Sequence, residues 1–305
     1  MTGNDPLALA ADLAVLARAL EVRGIYNGGK LLRAALDALL TRLALTRAPE
    51  DDVSVLAGIH GLRERLSAAG LPADLVATLP SITEAIRTGG ILPLAAAPPS
   101  RVCRACGELL LGDPPATCPT CEAPSTVLRE HLPIWFLEPV TPDEVLGQLA
   151  AGIAWVGDAV GGRDDEALAR PPRPGEWSAR DTLEHLLSTE RLLAGRIDRL
   201  LSEDQPDLAA LTVSAASPAL DEATEATGEP ASELVRQFAA TREANRARLA
   251  GISSEEWQRS GRHPEWGTVT ILSQAAYFAR HQASHTAQLA AAADGRVPGQ
   301  RVAAR

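Results

Sequence analysis

The chain has 305 residues, 46% of them apolar and 3% aromatic, with 29 lysines and arginines against 39 aspartates and glutamates for a net charge of −10. That length allows a large domain plus smaller ones, and the apolar fraction supports a core without disulfide staples. An acidic chain without a basic stripe is poorly matched to nucleic acid or an anionic membrane. No basic and apolar leader opens the sequence, and no apolar run approaches the ~18 residues of a membrane span, so we expect a cytoplasmic protein. Alanine and leucine dominate while β-branched runs are scarce, which predicts an all-α fold.

Residues 1–95 read as a helical domain of unknown role. Leu7, Leu13, Leu16 and Leu20 recur at helical spacing until Gly24, and Tyr26-Asn27-Gly28-Gly29 is a turn signal. A second helix is predicted over Leu31–Leu45. A third starts on Asp51 or Asp52 and runs through Ala68, and a fourth covers Ala73–Arg87 before Gly89-Gly90. Tyr26, Lys30 and His60 are the polar residues of note here, each consistent with a solvated or packing role.

After a connector rich in proline and alanine, all four cysteines fall in two C-x-x-C pairs, Cys103 with Cys106 and Cys118 with Cys121. Such a pair turns two sulfurs toward one point, and two pairs make a tetrahedral thiolate cage for zinc or iron. Two local disulfides, or four buried thiols, are the alternatives. Gly107 sits where a tight turn needs no Cβ. The stretch from Cys103 to Pro124, with Cys-x-x-Cys-Gly, the turn Gly112-Asp113-Pro114-Pro115 and Cys-Pro-x-Cys, resembles the rubredoxin-like domain found at the end of rubrerythrins. Glu108 replaces the usual aromatic there, Glu122 replaces a second glycine, and no E-x-x-H motif exists for a di-iron partner site. These departures make residues 100–138 a structural knuckle holding Zn²⁺, with Fe as the alternative. His131 lies in the apolar patch 131–137, which is expected to pack the knuckle on its neighbour.

Residues 139–295 carry the pattern of four helices, followed by a flexible tail at 296–305. Thr141-Pro142-Asp143-Glu144 supplies an N-cap, an N1 proline and an acidic first turn, and Val145, Leu149, Ile153, Val156 and Val160 form one stripe. Ser178 with Asp181 makes a capping box for a second helix reaching about Ser202. Residues 203–230 are acidic and weakly patterned, a crossover or lid. A third helix spans about Ala231–Ala250, and Thr268 is expected to open the fourth, which ends near Asp294.

His281 and His285 stand one turn apart on that last helix, sharing a face with Gln274, Tyr277, Phe278 and Gln288. His185 lies on the second helix opposite its main leucine stripe, on a face with Asp181, Ser188, Thr189 and Arg196. Alone, an H-x-x-x-H pair is equally compatible with a surface coincidence. The words around it add more. Glu176-Trp177-Ser178 through Leu187, then Glu190-Arg191, and His263-Pro264-Glu265-Trp266-Gly267-Thr268-Val269-Thr270 followed by His281, His285 and Gln288, resemble the DinB-like (YfiT-like) family over about residues 141–294. The resemblance implies a four-helix bundle in which one histidine of helix two and two of helix four surround a divalent metal. By position these are His185, His281 and His285. Gln282 stands where many relatives carry an acid.

Three neutral imidazoles leave at least one metal position for water or substrate and add no negative charge. Zn²⁺ and Ni²⁺ both suit such ligands. The resemblance implies a metal-dependent hydrolase, or a transferase or isomerase using a small thiol. Asp181, Ser188, Gln274, Tyr277 and Gln288 are the candidates to line the pocket or support the ligands, with Arg196, about three turns from His185, expected at the pocket's end or exposed. Asp181 is assigned equally to helix capping and to a hydrogen bond with His185. No general base stands out, since Glu184 and Glu190 fall on other faces. Two rival classes remain: a non-catalytic metal-binding sensor or interaction protein, and an iron redox protein acting through the cysteines. The expected partner is a small-molecule substrate, with a second copy of the chain as a further candidate.

Overall fold

The structure is a computed structural model and describes residues 5–48, 51–211 and 228–297. The chain divides into two compact units, residues 1–62 and 63–305. Among the described residues no helix is long and apolar enough to cross a membrane.

In the first unit, α1 (Pro6–Val22) starts where the Asp5 carboxylate accepts the Leu7 N–H at 3.1 Å. It pairs with α2 (Tyr26–Arg47). The expected turn at 26–29 is a correction: those residues begin α2, and the chain reverses at Arg23–Ile25 through Gly24 at φ +75°. Gly28 and Gly29 serve packing instead. A Cβ on Gly29 would stand 2.9 Å from Glu21 Cγ and 3.1 Å from the Ala17 carbonyl, so glycine lets the two backbones approach. The buried seam is accordingly small, with Ala10, Ala17 and Gly29. A third helix, α3 (Asp52–Ala68), is capped by Asp51, whose Oδ1 accepts the Ser54 N–H at 2.7 Å.

The division between the units falls within α3, and the first whole helix of the second unit is α4 (Ala73–Thr88), ended by Gly89 in the left-handed conformation at φ +60°. The knuckle follows as a small antiparallel sheet with β1 (Ser100–Cys103) between β2 (Leu109–Leu111) and β3 (Leu128–His131). Each cysteine pair closes a tight turn: the Cys103 carbonyl accepts the Gly107 N–H at 2.9 Å, and the Cys118 carbonyl accepts the Glu122 N–H at 2.8 Å. The two turns end on equivalent left-handed residues, Gly107 at φ +86° and Glu122 at φ +59°. Glutamate occupies the second of these at a cost of about 1 kcal/mol or more that glycine would not incur.

Four long helices form the bundle: α5 (Pro142–Val160), α7 (Ala179–Ser202), α8 (Ala231–Ala250) and α10 (Ile271–Ala293). Helix α10 packs on α5 and α7, and α8 packs on the same two, so the ring order is α5-α10-α7-α8. Short helices α6 (Asp165–Ala169) and α9 (Ser254–Trp257) lie in the connections that follow α5 and α8. Capping boxes start α5 at Thr141 and α7 at Ser178. The start of α10 is a second correction. Residues 260–270 fold into a hairpin, β4 (Ser260–His263) with β5 (Gly267–Thr270), and Thr270 rather than Thr268 is the N-cap. The β-branched run Thr268-Val269-Thr270 suits a strand, and Gly267 at φ +74° supplies its turn. The segment 212–227 of the expected crossover, and 298–305 of the expected tail, lie outside the described residues.

Inside the bundle two apolar clusters sit one above the other. One centres on Leu149, Leu193, Ile197, Leu249 and Phe278. The other centres on Val156, Leu183, Leu187, Phe238 and Leu289. Along each helix a polar or missing side chain separates them: Gly152 on α5, Glu190 on α7, Arg242 and Asn245 on α8, Gln282 on α10. Glu190 and Arg242 form an ion pair with both side chains fully buried. Arg242 also donates to Gln282 Oε1 at 2.8 Å, and Asn245 Nδ2 donates to Glu190 Oε2 at 3.2 Å. Gly152 makes room for this layer, because a Cβ there would overlap both Gln282 Oε1 and Arg242.

Gly152→Ala is therefore expected to lower stability in urea unfolding by about 1–3 kcal/mol through overpacking. Gly147→Ala, on the same helix with open space around the new Cβ, is expected to leave stability unchanged or raise it by up to about 1 kcal/mol. Equal effects of the two substitutions would contradict this packing.

Candidate metal centre

Helix α7 carries His185 and helix α10 carries His281 and His285, and the contact between these helices turns the three rings toward one point. His281 Nε2 lies 3.4 Å from His185 Nε2 and 3.1 Å from His285 Nε2. One nitrogen from each ring falls within 4.8 Å of the others. Burial lowers the pKa of all three. His185 falls to about 4, with the neighbouring His285 adding to the effect, and His281 falls to about 3. His285 is lowered by burial against the opposing hydrogen bond from Gln288. All three are therefore neutral near pH 7, the form that binds metals.

Gln288 Oε1 stands 2.8 Å from His285 Nδ1. An amide oxygen only accepts, so this contact places the His285 proton on Nδ1 and leaves the Nε2 lone pair aimed at the cluster. The Nδ1 atoms of His185 and His281 are buried without a hydrogen-bond partner among the described residues. Aromatic rings enclose the centre. Trp177 lies parallel to His285 at 6.2 Å and edge-on to His185 at 5.1 Å. Tyr277 lies parallel to His281 at 5.6 Å, and Phe136 meets the same ring edge-on at 6.0 Å. Phe136 is held there by Arg280, which donates to the Phe136 carbonyl at 2.9 Å and the Glu138 carbonyl at 2.7 Å.

The nitrogen set fits a divalent cation. Tetrahedral metal–nitrogen bonds of about 2.0–2.1 Å imply ligand edges near 3.3 Å, and the two measured edges bracket that value. The cysteines pass the same test. Cys103 Sγ lies 3.7 Å from Cys121 Sγ, and Cys106 Sγ lies 3.7 Å from Cys118 Sγ, where metal–sulfur bonds of about 2.3 Å imply edges near 3.8 Å. All four are free thiols. Backbone N–H groups of Cys106 and then Ala105 bring Cys103 down to about 7. Against backbone hydrogen bonds, burial and the neighbouring cysteines push Cys106 up to about 12 and Cys121 upward. One thiolate therefore forms readily, and the crowded remainder need a cation to ionise.

Of the other residues singled out in the sequence, Gln288 and Tyr277 touch the histidines directly. Asp181 takes the capping role: its Oδ2 accepts the Ser178 N–H at 2.8 Å, while His185 Nδ1 has no partner among the described residues. Ser188 is exposed, outside the cluster. Gln274 is buried and accepts a hydrogen bond from Arg196 at 2.6 Å. Arg196 is not exposed but buried at 2% accessibility, clamped on the Leu211 carbonyl at 2.6 and 2.8 Å and facing Trp266 and Phe278. Burial brings its pKa down to about 10, so it stays charged. Beside it, burial and then Arg196 lower His263 to about 4. His263 Nδ1 accepts the backbone N–H groups of Glu265 and Trp266 at 3.3 Å each, and its ring stacks on Trp266 at 3.9 Å. His131 remains exposed, next to Arg129 at 3.2 Å. Glu190 is the buried partner of Arg242. Trp177 and Phe136 were not legible as members of the site. The first reads as the residue before an N-cap and the second as part of an apolar patch.

Residues 156–289 match the DinB superfamily. The solved structure of YfiT from Bacillus subtilis, described as a probable metal-dependent hydrolase with an unusual four-helix bundle topology, is similar at 20% identity over 50% of this chain and 87% of its own, with a TM-score of 0.44. No curated protein matches the sequence. The family match falls on the helices that carry the three histidines, and the C-terminal half of this chain is a four-helix bundle that is similar to that family over residues 156–289.

Proposed function

We propose that this protein is a metal-dependent enzyme acting on a small molecule, by hydrolysis or by thiol-dependent transfer, with Zn²⁺ or Ni²⁺ held by His185, His281 and His285. The observation that carries this reading is the convergence of three neutral imidazole nitrogens at ligand spacing. The name given to YfiT points the same way. A divalent cation at this position supplies Lewis acidity toward a carbonyl, water or thiol, undiminished because none of its three ligands is anionic. Gln288 sets the tautomer of His285. Trp177, Tyr277 and Phe136 restrict water around the rings, which strengthens electrostatic interactions at the centre. Glu190, tied to Arg242 and Asn245, is not available as a base.

We further propose that Cys103, Cys106, Cys118 and Cys121 hold a structural Zn²⁺, with iron as the alternative. A cytoplasmic setting suits four thiols kept unoxidised at this spacing.

Metal analysis of the full chain is expected to find two equivalents. His281→Ala removes one and leaves the cysteine-bound one, and Cys118→Ser does the converse. Unchanged stoichiometry in either variant would sink the corresponding site. Gln288→Leu is expected to weaken the histidine-bound metal about 10- to 100-fold through loss of the outer hydrogen bond, read by competition with a chelating dye; an unchanged affinity removes Gln288 from that role.

A screen of esters, amides and thiol acceptors with the metal-loaded protein is expected to show turnover that a chelator abolishes and added metal restores. Tight metal binding with no turnover across the screen favours the sensor reading. Visible iron–thiolate bands would favour the redox one.

A further inference from the structure

A cavity of about 600 Å³ lies away from the histidines, bounded by three segments of the second unit. Leu94 and Pro98 line it from the connector after α4, Leu132 and Leu137 from the chain after β3, and Trp266 and Val269 from the β4–β5 hairpin. Its volume falls within the range of about 300–1,000 Å³ typical of small-molecule sites. None of His185, His281 and His285 lines it. The cavity and the metal centre share a wall, since Trp266 lies 4.5 Å from Tyr277, which in turn covers His281.

The walls are fixed to the bundle. The Leu94 N–H donates to the Pro264 carbonyl at 3.3 Å. The Leu94 side chain lies over Gly267, where a Cβ would come within 2.7 Å of Leu94 Cδ2. Leu137 follows Phe136, whose carbonyl Arg280 holds at 2.9 Å.

The titratable groups on this lining are Glu130, His131 and Glu265, and no lysine or arginine is among them. Glu130 is exposed and paired with Arg101 at 3.2 Å. Glu265 differs. No lysine or arginine among the described residues forms an ion pair with it, and interaction with the neighbouring Trp266 side chain only partly offsets its burial. Burial pushes its carboxyl above the usual carboxylate range. A carboxylate partly removed from water without a cation is a cost that a cationic ligand would offset. Apolar walls and the Trp266 ring suit an apolar body and an ammonium head. An anionic ligand would instead face two carboxylates.

We propose that this cavity is a second binding site, for a small apolar molecule bearing a protonated amine that pairs with Glu265. The proposal stands independently of the reaction at the histidines.

The test is calorimetric titration of the metal-loaded full chain at neutral pH with 2-phenylethylamine, 2-phenylethanol and 3-phenylpropionate. The amine is expected to bind one equivalent, about tenfold tighter than the alcohol through its charge-assisted hydrogen bond, with the carboxylate weakest. Glu265→Gln should bring the amine to within about threefold of the alcohol, and Glu130→Gln should leave the preference intact. Leu132→Trp, at the rim, should abolish binding of all three while metal content and helicity stay unchanged. Absence of saturable binding at millimolar amine overturns the proposal. So does equal binding of amine and alcohol, a preference that survives Glu265→Gln or disappears with Glu130→Gln, or binding that survives Leu132→Trp.

Discussion

The ion pair between Glu190 and Arg242, with both side chains fully buried, is the constraint on which the rest of the bundle depends. Removing either partner strands a charge in the interior at about 3–5 kcal/mol. The pair therefore admits one axial alignment of α7 and α8, the one in which these residues are level. Gln282 extends the layer to α10 and Gly152 opens space for it on α5. A slip of one turn on α7 would set Leu186, Leu187 or Leu193 in place of Glu190 against the guanidinium. His281 adjoins Gln282 in sequence and His185 lies just over one turn before Glu190. The same alignment that satisfies the charges therefore brings the histidines together.

The knuckle bears on this centre through a short strap. Strand β3 ends at His131, and within a few residues the turn Trp135–Leu137 lies against α10. Arg280 grips its carbonyls and Phe136 covers the His281 ring. A metal bound by the four cysteines, as proposed, would thus have a structural route to the enclosure of the histidines. Exposure of Phe136 on loosening of the strap would let water reach rings that are now largely buried.

Much of the bundle was legible in the sequence because its local signals agree with its tertiary fold. The capping boxes at Thr141 and Ser178 and the stripe from Val145 to Val160 specify their helices before any packing is considered. The cysteine spacing and the pair His281 and His285 also stand out locally. Features set by distant contacts were hidden. Tyr26-Asn27-Gly28-Gly29 has the composition of a turn, yet these residues are helical, and Gly29 lies where α1 comes too close for a Cβ. Arg196 is polar by type but buried because Leu211, Gln274 and two aromatic rings meet it from three other segments. Trp177 reaches the histidines across the mouth of α7, and no period within its own segment announces that. Asp181 showed the limit of local reading: one residue fitted a cap and a histidine partner equally, and only geometry separated them.

The central claim is that three imidazoles of the four-helix bundle hold a metal, separate from one proposed for the thiolate knuckle. Anomalous diffraction from crystals of the metal-loaded protein, collected across the zinc, nickel and iron edges, tests it most directly. The account predicts two peaks. One lies among the four sulfurs, and the other stands about 2.0–2.1 Å from the Nε2 atoms of His185, His281 and His285. A single peak confined to the sulfurs, with the histidine cluster empty at saturating metal, would contradict it.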